Sequence, residues 1–569
     1  MIDRALGNAC AIVAFSALAL SCGGGTIAAT AGGRYMSVPI KNGAPKVRID
    51  VYDGARRIAY DLVEWAKDAP DWTASLDLGE VKGRQLEFRF GGDGAQDISA
   101  EDLLFTDELL ANANCRRDEP LRPQLHFTSP QGWLNDPNGL SYYKGEWHMF
   151  YQHNPFGVNH GNMHWGHAVS SDLLHWRFLG DALAPDEHGT MYSGSAATDW
   201  DNAAGFGKGA HILAYTGAGG ERTQRLAWSL DGRKYTKCPL AAIGARPDAN
   251  RDPKLFYYAP GRHWVMVVYG KVEKGRHGMS FFVSKNLKDW EKSSHVVGDV
   301  IGEGGYLFEC PDFFEMPIEG GGGSRWVLTA GNRLYAIGSF DGRVFTPETE
   351  RLSAVNQVGG GRHIYAWQSF SDAPDGRRIQ LAWFFLQTMP GTRGYMAERA
   401  GAAPYMFSQG MTLPAELKLV RTKDGLRLAR FPVRELATLR DGPTVDFDRF
   451  DGELAEVEFS CLPSYDARIT LYVRGVKIEY NVPCRVLTVN GAPTAWELDA
   501  NGRFGLHVFA DRLGLEIYSL DGLQYAPVAT IVPDPAQRGI SLSSGGAQAP
   551  MREVSAKAWR LKSVWQVCK

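Results

Sequence analysis

One pattern constrains this chain more than any other. Ser-x-Asp/Asn-x-x-x-aromatic occurs as Ser170/Asp172/Trp176, Ser229/Asp231/Tyr235, Ser284/Asn286/Trp290 and Ser339/Asp341/Phe345. The aromatic positions step by 59, 55 and 55 residues. Asp and Asn side chains bond their own backbone in turns, so a single copy is only a hairpin signal. Four copies at near-constant spacing, each after a strand-like run such as 225–228 or 279–283, describe a repeated unit. A unit of about 55 residues holds four strands with turns, which is a propeller blade. Residues 125–415 accommodate about five such units. The fifth, at 364–385, lacks the motif, so its existence is inferred from length.

The flanks also read as β-structure. Val47, Ile49 and Val51 alternate with polar neighbours, as do Leu86, Phe88 and Phe90. Ser99 and Asp102 precede Leu103, Leu104, Leu109 and Leu110, which predicts a capped helix. Pro414 to Arg434 reads as a connector. Beyond it, Val445 and Phe447, 457–459, 469–473, 504–509 and Leu513, Leu515 and Ile517 predict sandwich strands. The expected fold is all-β: a five-bladed β-propeller followed by a C-terminal β-sandwich and preceded by a small β-rich domain. The expected bounds are a leader at 1–31, the N-terminal β-domain at 32–117, the propeller at 118–425 and the sandwich at 426–569.

The leader rests on residues 9–20 (ACAIVAFSALAL), an apolar run behind Arg4. It is too short for a membrane span, which needs about 20 residues, and suits a signal-peptide core. Two processing sites compete. Ala29-Thr30-Ala31 is a small-x-small site. Leu20-Ser21-Cys22-Gly23 resembles a bacterial lipoprotein box with Ala19 in place of Leu, and would put a lipid anchor on Cys22. Either way the protein is expected to be exported, with no membrane span. The eight cysteines include no CxxC, which argues against a zinc ribbon or a redox dithiol. Cys461 and Cys484 are the one pair that could bridge strands.

Composition excludes some functions. Lys and Arg number 61 against 64 Asp and Glu, so nothing favours nucleic acid. Glycines number 65, and aromatics make up 11%. That suits tight turns, and equally a surface that stacks on sugars.

Three segments place acids where a propeller's inner strands would converge: Trp133-Leu134-Asn135-Asp136-Pro137-Asn138-Gly139, Asn250-Arg251-Asp252-Pro253 and Phe308-Glu309-Cys310-Pro311-Asp312. They fall in the first, third and fourth units. Singly each is ordinary, because Asp before Pro is usually a turn residue and Arg-Asp usually a surface pair. His160, His164 and His167 match no metal-binding helix spacing and read as a rim loop; no metal or cofactor is expected.

Together the segments resemble the β-fructofuranosidase family of glycoside hydrolases, the invertases, inulinases and levanases. The resemblance runs from about 122 to 565 and includes LHFTSPQGWLNDPNG (125–139), FYQHNP (150–155), GNMHWGHAVSSDLLHW (161–176), YSGSA (192–196), RDP (251–253), ECPD (309–312) and MTLPAEL (411–417). It implies a propeller followed by a sandwich, in agreement with the repeat count. The segment 32–97 also looks like an N-terminal β-domain of some bacterial members.

The resemblance implies that Asp136 is the nucleophile, Glu309 the acid and base, and Asp252 the stabiliser of the transition state. Arg251 would orient Glu309. Asn135, Gln152, Trp165, Tyr192 and Ser193 would line the sugar pocket. Retaining chemistry needs opposite protonation states, so Glu309 is expected to carry a raised pKa and Asp136 to stay ionised. The expected substrate is a fructan or fructo-oligosaccharide. Sucrose-specific cleavage, fructosyl transfer and non-catalytic fructan binding are the alternatives. The pattern departs from relatives at His160, where Trp is common, at Phe384-Phe385-Leu386-Gln387, which lacks a second Trp, and at Ser408, where Arg is usual. These departures bear on the leaving-group side.

Overall fold

The computed structural model describes residues 25–109, 119, 121–298, 306–349, 351–353, 355–386, 406–529, 536–546 and 550–565. Cys22 and residues 9–20 lie outside these, as does Gln387. Among the described residues every regular element is a β-strand or a short 3-10 turn.

At the N-terminus a four-stranded and a three-stranded antiparallel sheet enclose a core that includes Val47, Ile49, Val51, Leu86, Phe88 and Phe90. The alternation read there holds. The expected helix after Ser99 does not form. Ser99 and Asp102 make a capping box, but it closes only a 3-10 turn, Ala100–Asp102. The strand Leu104–Thr106 follows at once and pairs with Tyr35–Ile40. Leu103 is buried while Leu104 is 63% exposed, which is a strand's period of two rather than a helical stripe.

The central region holds five sheets in chain order, antiparallel except where Phe407–Ser408 runs parallel to Gly132–Trp133 in the first. Their leading strands are Gly132–Tyr143, Thr190–Asp199, Arg251–Tyr258, Asp312–Pro317 and Ile364–Ser369. In the first four sheets the repeated motif is the turn between the third and fourth strands. Asp172 Oδ1 accepts from the N–H groups of Leu174 and His175 at 3.0 and 2.8 Å. Asp231, Asn286 and Asp341 do the same for their own turns. Trp176 and Trp290 bond back to the carbonyls of Leu173 and Leu287.

In the fifth sheet, Ala415–Thr422 and Gly425–Pro432 join Arg378–Phe384. The stretch expected as a connector is therefore a hairpin of this sheet. Its turn is bonded by Thr422 Oγ1 to the Gly425 carbonyl, which explains why the Ser–Asp motif is missing. A further copy of the motif, Ser519/Asp521/Tyr525, closes a hairpin in the C-terminal sheets, so the motif marks a hairpin and only its spacing marks a repeat.

The leading strands touch in a cycle. Gly194 N–H donates to Asn138 Oδ1, joining the second strand to the first. Ser195 Oγ donates to the Pro253 carbonyl and accepts from Leu255 N–H, both at 2.8 Å, joining second to third. Lys254 and Asp312 form a buried ion pair at 2.8 Å between third and fourth. Asp312 Oδ2 accepts from Ser369 N–H at 2.7 Å, reaching the fifth. Ser371, just past the fifth strand, exchanges backbone bonds with Leu140 and Tyr142 of the first.

Two five-stranded sheets complete the chain around a core that includes Phe459, Leu471, Tyr480, Phe504 and Ile517. Val445 makes only an isolated bridge to Ala558, and Phe447 opens a 3-10 turn; the strand expected there is absent. Cys461 is buried, Cys484 exposed, and both are free.

Candidate active site

Two of the acids stand where a leading strand is irregular, and the third just before one. The ladder of Gly132–Tyr143 with its neighbour slips between Leu134 and Pro137, so Asn135 and Asp136 fall in a bulge. Pro137 has no N–H to give to the ladder, which suits that break. The third leading strand slips between Arg251 and Lys254, and Asp252 there has φ 63°. Glu309 and Cys310 precede the fourth strand with φ 57° and 42°. Non-glycine residues at positive φ are uncommon and costly, and they concentrate at functional sites.

Cys310 is the hub. Its thiol lies 3.6 Å from both Asp136 Oδ2 and Asp252 Oδ2, and its N–H donates to Asp252 Oδ2 at 3.1 Å. Ser193 donates to Asp136 Oδ2 at 2.5 Å, and Asn135 Nδ2 to Oδ1 at 3.2 Å. Arg251 donates to Glu309 Oε1 from Nε at 3.0 Å and also from Nη2. Tyr365 OH donates to Glu309 Oε2 at 2.6 Å. Arg251 also lies over the Tyr269 ring at 4.7 Å and donates to Asn250 Oδ1, which accepts from Arg222 as well.

Burial raises the pKa of Asp136 to about 6, with Glu309 repulsion adding and the Ser193 and Asn135 bonds opposing. Burial likewise raises Asp252 to about 7; Arg251 opposes, while Glu309 and Asp136 add. Both aspartates thus carry raised pKa values. The reason is placement. The Asp252 side chain is only 5% exposed, so dehydration falls heavily on it. Burial opposes the charge of Arg251, but Glu309 and Asp252 outweigh it and raise its pKa.

The structure brings Asn135, Ser193 and Arg251 into direct contact with the acids. Gln152 and Trp165 stand behind them. Gln152 Nε2 donates to the Met191 carbonyl at 2.8 Å, and Trp165 Nε1 to the Tyr192 carbonyl at 3.1 Å. Trp165 is fully buried, so it supports the strand that carries Tyr192 and Ser193 and offers no face for stacking. Tyr192 is half-buried under Arg222, 5.3 Å from its ring.

Sequence reasoning missed Tyr365. It lies in the fifth unit, where no local signal marks it. It also passed over the Cys310 thiol, although Cys310 adjoins Glu309. At the rim Trp133 meets Trp383 edge-on at 5.8 Å and His160 at 6.2 Å. His164 bonds the Asn162 carbonyl and His167 bonds His148. Among the described residues, Glu456, Glu458 and His507 present ligand atoms close together. Arg440 already donates to both Glu456 oxygens there.

The family described as Glycosyl hydrolases family 32 N-terminal domain matches residues 126–431. Levanase of Bacillus subtilis is 33% identical over 503 residues, covering 79% of this chain and 71% of that protein. Extracellular exo-inulinase of Aspergillus niger is 32% identical over 314 residues, covering 47% of this chain and 58% of that one. The crystal structure of exo-inulinase from Aspergillus awamori superposes with a TM-score of 0.68 at 22% identity, covering 79% of this chain and all of that one. Fold and relatives together define a glycoside hydrolase, a β-fructofuranosidase of the invertase, inulinase and levanase type. The chain belongs to glycosyl hydrolases family 32.

Proposed function

We propose that this protein is an exported, retaining fructan hydrolase in which Asp136 is the nucleophile. The observation that carries the reading is the convergence of Asp136, Asp252 and Glu309, from two leading strands and the segment before a third, on one buried thiol and one arginine. Asp136 attacks the anomeric carbon of a terminal fructofuranosyl unit. Glu309, more exposed than Asp252, faces the leaving oxygen, protonates it, and then takes a proton from the attacking water. Asp252 holds sugar hydroxyls and balances the charge of the oxocarbenium-like transition state. With Asp136 raised to about 6 and Asp252 to about 7, the cluster keeps a share of one proton near neutrality.

On this reading the five central sheets are the blades of a propeller over about 121–432, closed where Ser371 meets Leu140. The C-terminal sheets form a sandwich and the N-terminal sheets a separate β-domain. The edge strand Thr26–Thr30 pairs with Gln85–Gly91, and Ala31 exchanges backbone bonds with Gly83 and Arg84. Cleavage after Ala31 would strip that strand, whereas cleavage before Cys22 keeps it. Cys22 is therefore the assigned start of the mature chain, with lipid attached.

Fructose release from levan, inulin and sucrose, measured in parallel, tests the substrate. Release from levan or inulin is expected to exceed release from sucrose, and sucrose-only activity overturns the fructan assignment. Asp136→Asn at wild-type rate would sink the nucleophile.

A further inference from the structure

The N-terminal sheets do not merely sit beside the catalytic region. Phe156 and Val158, from the loop after FYQHNP, are buried in the N-terminal core. At the far end of this loop, Asn162 uses its amide as a strand would. Its Oδ1 accepts from Leu62 N–H at 2.9 Å and its Nδ2 donates to the Leu62 carbonyl at 2.7 Å. Asn162 has φ 44°, a conformation that Asn tolerates better than most residues.

From Asn162 a run of contacts leads to the reacting carboxylate. Asn162 Nδ2 also donates to Asn154 Oδ1 at 3.0 Å, and Asn154 Nδ2 ties the loop by donating to the Asn159 carbonyl at 2.8 Å. Asn154 is the strand partner of Trp133, whose N–H donates to the Gly157 carbonyl at 3.0 Å. The approach is close: a Cβ on Gly132 would lie 2.2 Å from the Asn154 carbonyl oxygen. Trp133 Nε1 donates to Asn135 Oδ1 at 2.9 Å, and Asn135 Nδ2 donates to Asp136 Oδ1 at 3.2 Å. The same loop sets His160 against the Trp133 ring.

We propose that Asn162 is a positioning residue through which the N-terminal β-sheets hold the rim loop and Trp133, and through Trp133 the pair Asn135–Asp136. The N-terminal region is then part of the active-site frame on the leaving-group side. This rests on Asp136 being the nucleophile.

The test is Asn162→Gly in the full chain, which removes the amide and suits the positive φ. The expected result is a fall of about tenfold in kcat/KM, the scale of one or two lost hydrogen bonds. The acid limb of the pH profile should also move to higher pH, because the Asn135 bond that favours ionised Asp136 is loosened. Glu309, Asp252 and Cys310 also face Asp136, and the substitution leaves them unchanged. A purely structural role would lower the yield or Tm and leave KM and the acid limb in place. Wild-type kcat/KM and pH profile in folded Asn162→Gly overturn the proposal. If that variant does not fold, Asn162→Asp carries the same test, since it keeps the acceptor for Leu62 N–H and loses both donated bonds. Asp136→Asn is run alongside. Activity in that variant refutes the site reading, whereas an inactive Asp136→Asn beside an unaffected Asn162→Gly refutes only the latch.

Discussion

Three acids share one site, and each has a different reason to be there. Asp136 needs its charge to attack, and burial has moved its pKa to about 6. Activity should therefore be lost as pH falls through about 6, read as the acid limb of kcat/KM. Glu309→Gln removes proton donation and should lower kcat by roughly 10²–10⁴-fold, with folded protein confirmed by circular dichroism. Asp252 carries the clearest cost. Its folded pKa, about 7, lies above the ordinary 3.8, so its favourable contribution exists below the ordinary value and is lost as pH rises through 7. Asp252→Asn should thus have a higher Tm than wild type at pH 8, a gap that closes toward pH 4, while its kcat falls. Equal Tm at pH 8 would show that the buried charge is not destabilising. Stability given up at a functional site is the general trade.

At the scale of elements, the sequence spoke most clearly where a local rule sufficed. The Ser–Asp turns and the alternation at Val47, Ile49 and Val51 follow from one side chain bonding its own backbone, or from a period of two. Asp136, Asp252 and Glu309 stood out only through the ordered set of family-like segments, since each run alone is ordinary. Tyr365 did not, since its contact with Glu309 joins the fourth and fifth sheets across 56 residues. Residues 415–432 misled for a related reason: a hairpin turned by Thr422 and Gly425 carries no repeat signature. The helix after Ser99 failed because a capping box states only where a turn begins. The edge strand Thr26–Thr30 was hidden inside a segment that resembled a cleavage site. It makes a prediction at this scale. Wild-type protein expressed in bacteria with its own leader should take up labelled fatty acid and sediment with membranes, and Cys22→Ser should do neither. Mature protein beginning at Gly32 would refute this.

At the scale of the whole molecule, one buried ion cluster ties the central sheets to a C-terminal sheet. The N–H groups of Gln124, Leu125 and His126 all donate to the carboxylate of Asp511 in a C-terminal sheet. The His126 ring lies between Asp511, at 2.8 Å from Nδ1, and Glu516, at 3.0 Å from Nε2. Glu516 also accepts from Leu413 N–H at 2.6 Å, and from the hydroxyls of Tyr518 and Tyr525. All three ionisable groups are fully buried. Burial works against a charged His126, yet the bonds to Asp511 and Glu516 prevail and raise its pKa to about 9. A histidine raised in the folded state stabilises fully below its unfolded value, near 6.5, and that contribution is lost as pH rises through about 9. Thermal unfolding of the wild type should therefore move to lower temperature between pH 6.5 and 9. His126→Ala leaves two carboxylates buried without their cation, a loss of about 3–5 kcal/mol. Its Tm should be lower throughout and nearly flat across that window. Because the cluster joins the central sheets to the C-terminal pair, the two regions should unfold together in the wild type and separate into two calorimetric transitions in His126→Ala. A single transition in the variant, with the wild-type pH dependence intact, would show that the docking rests on the apolar contacts around Phe384, Phe509 and Trp565 instead.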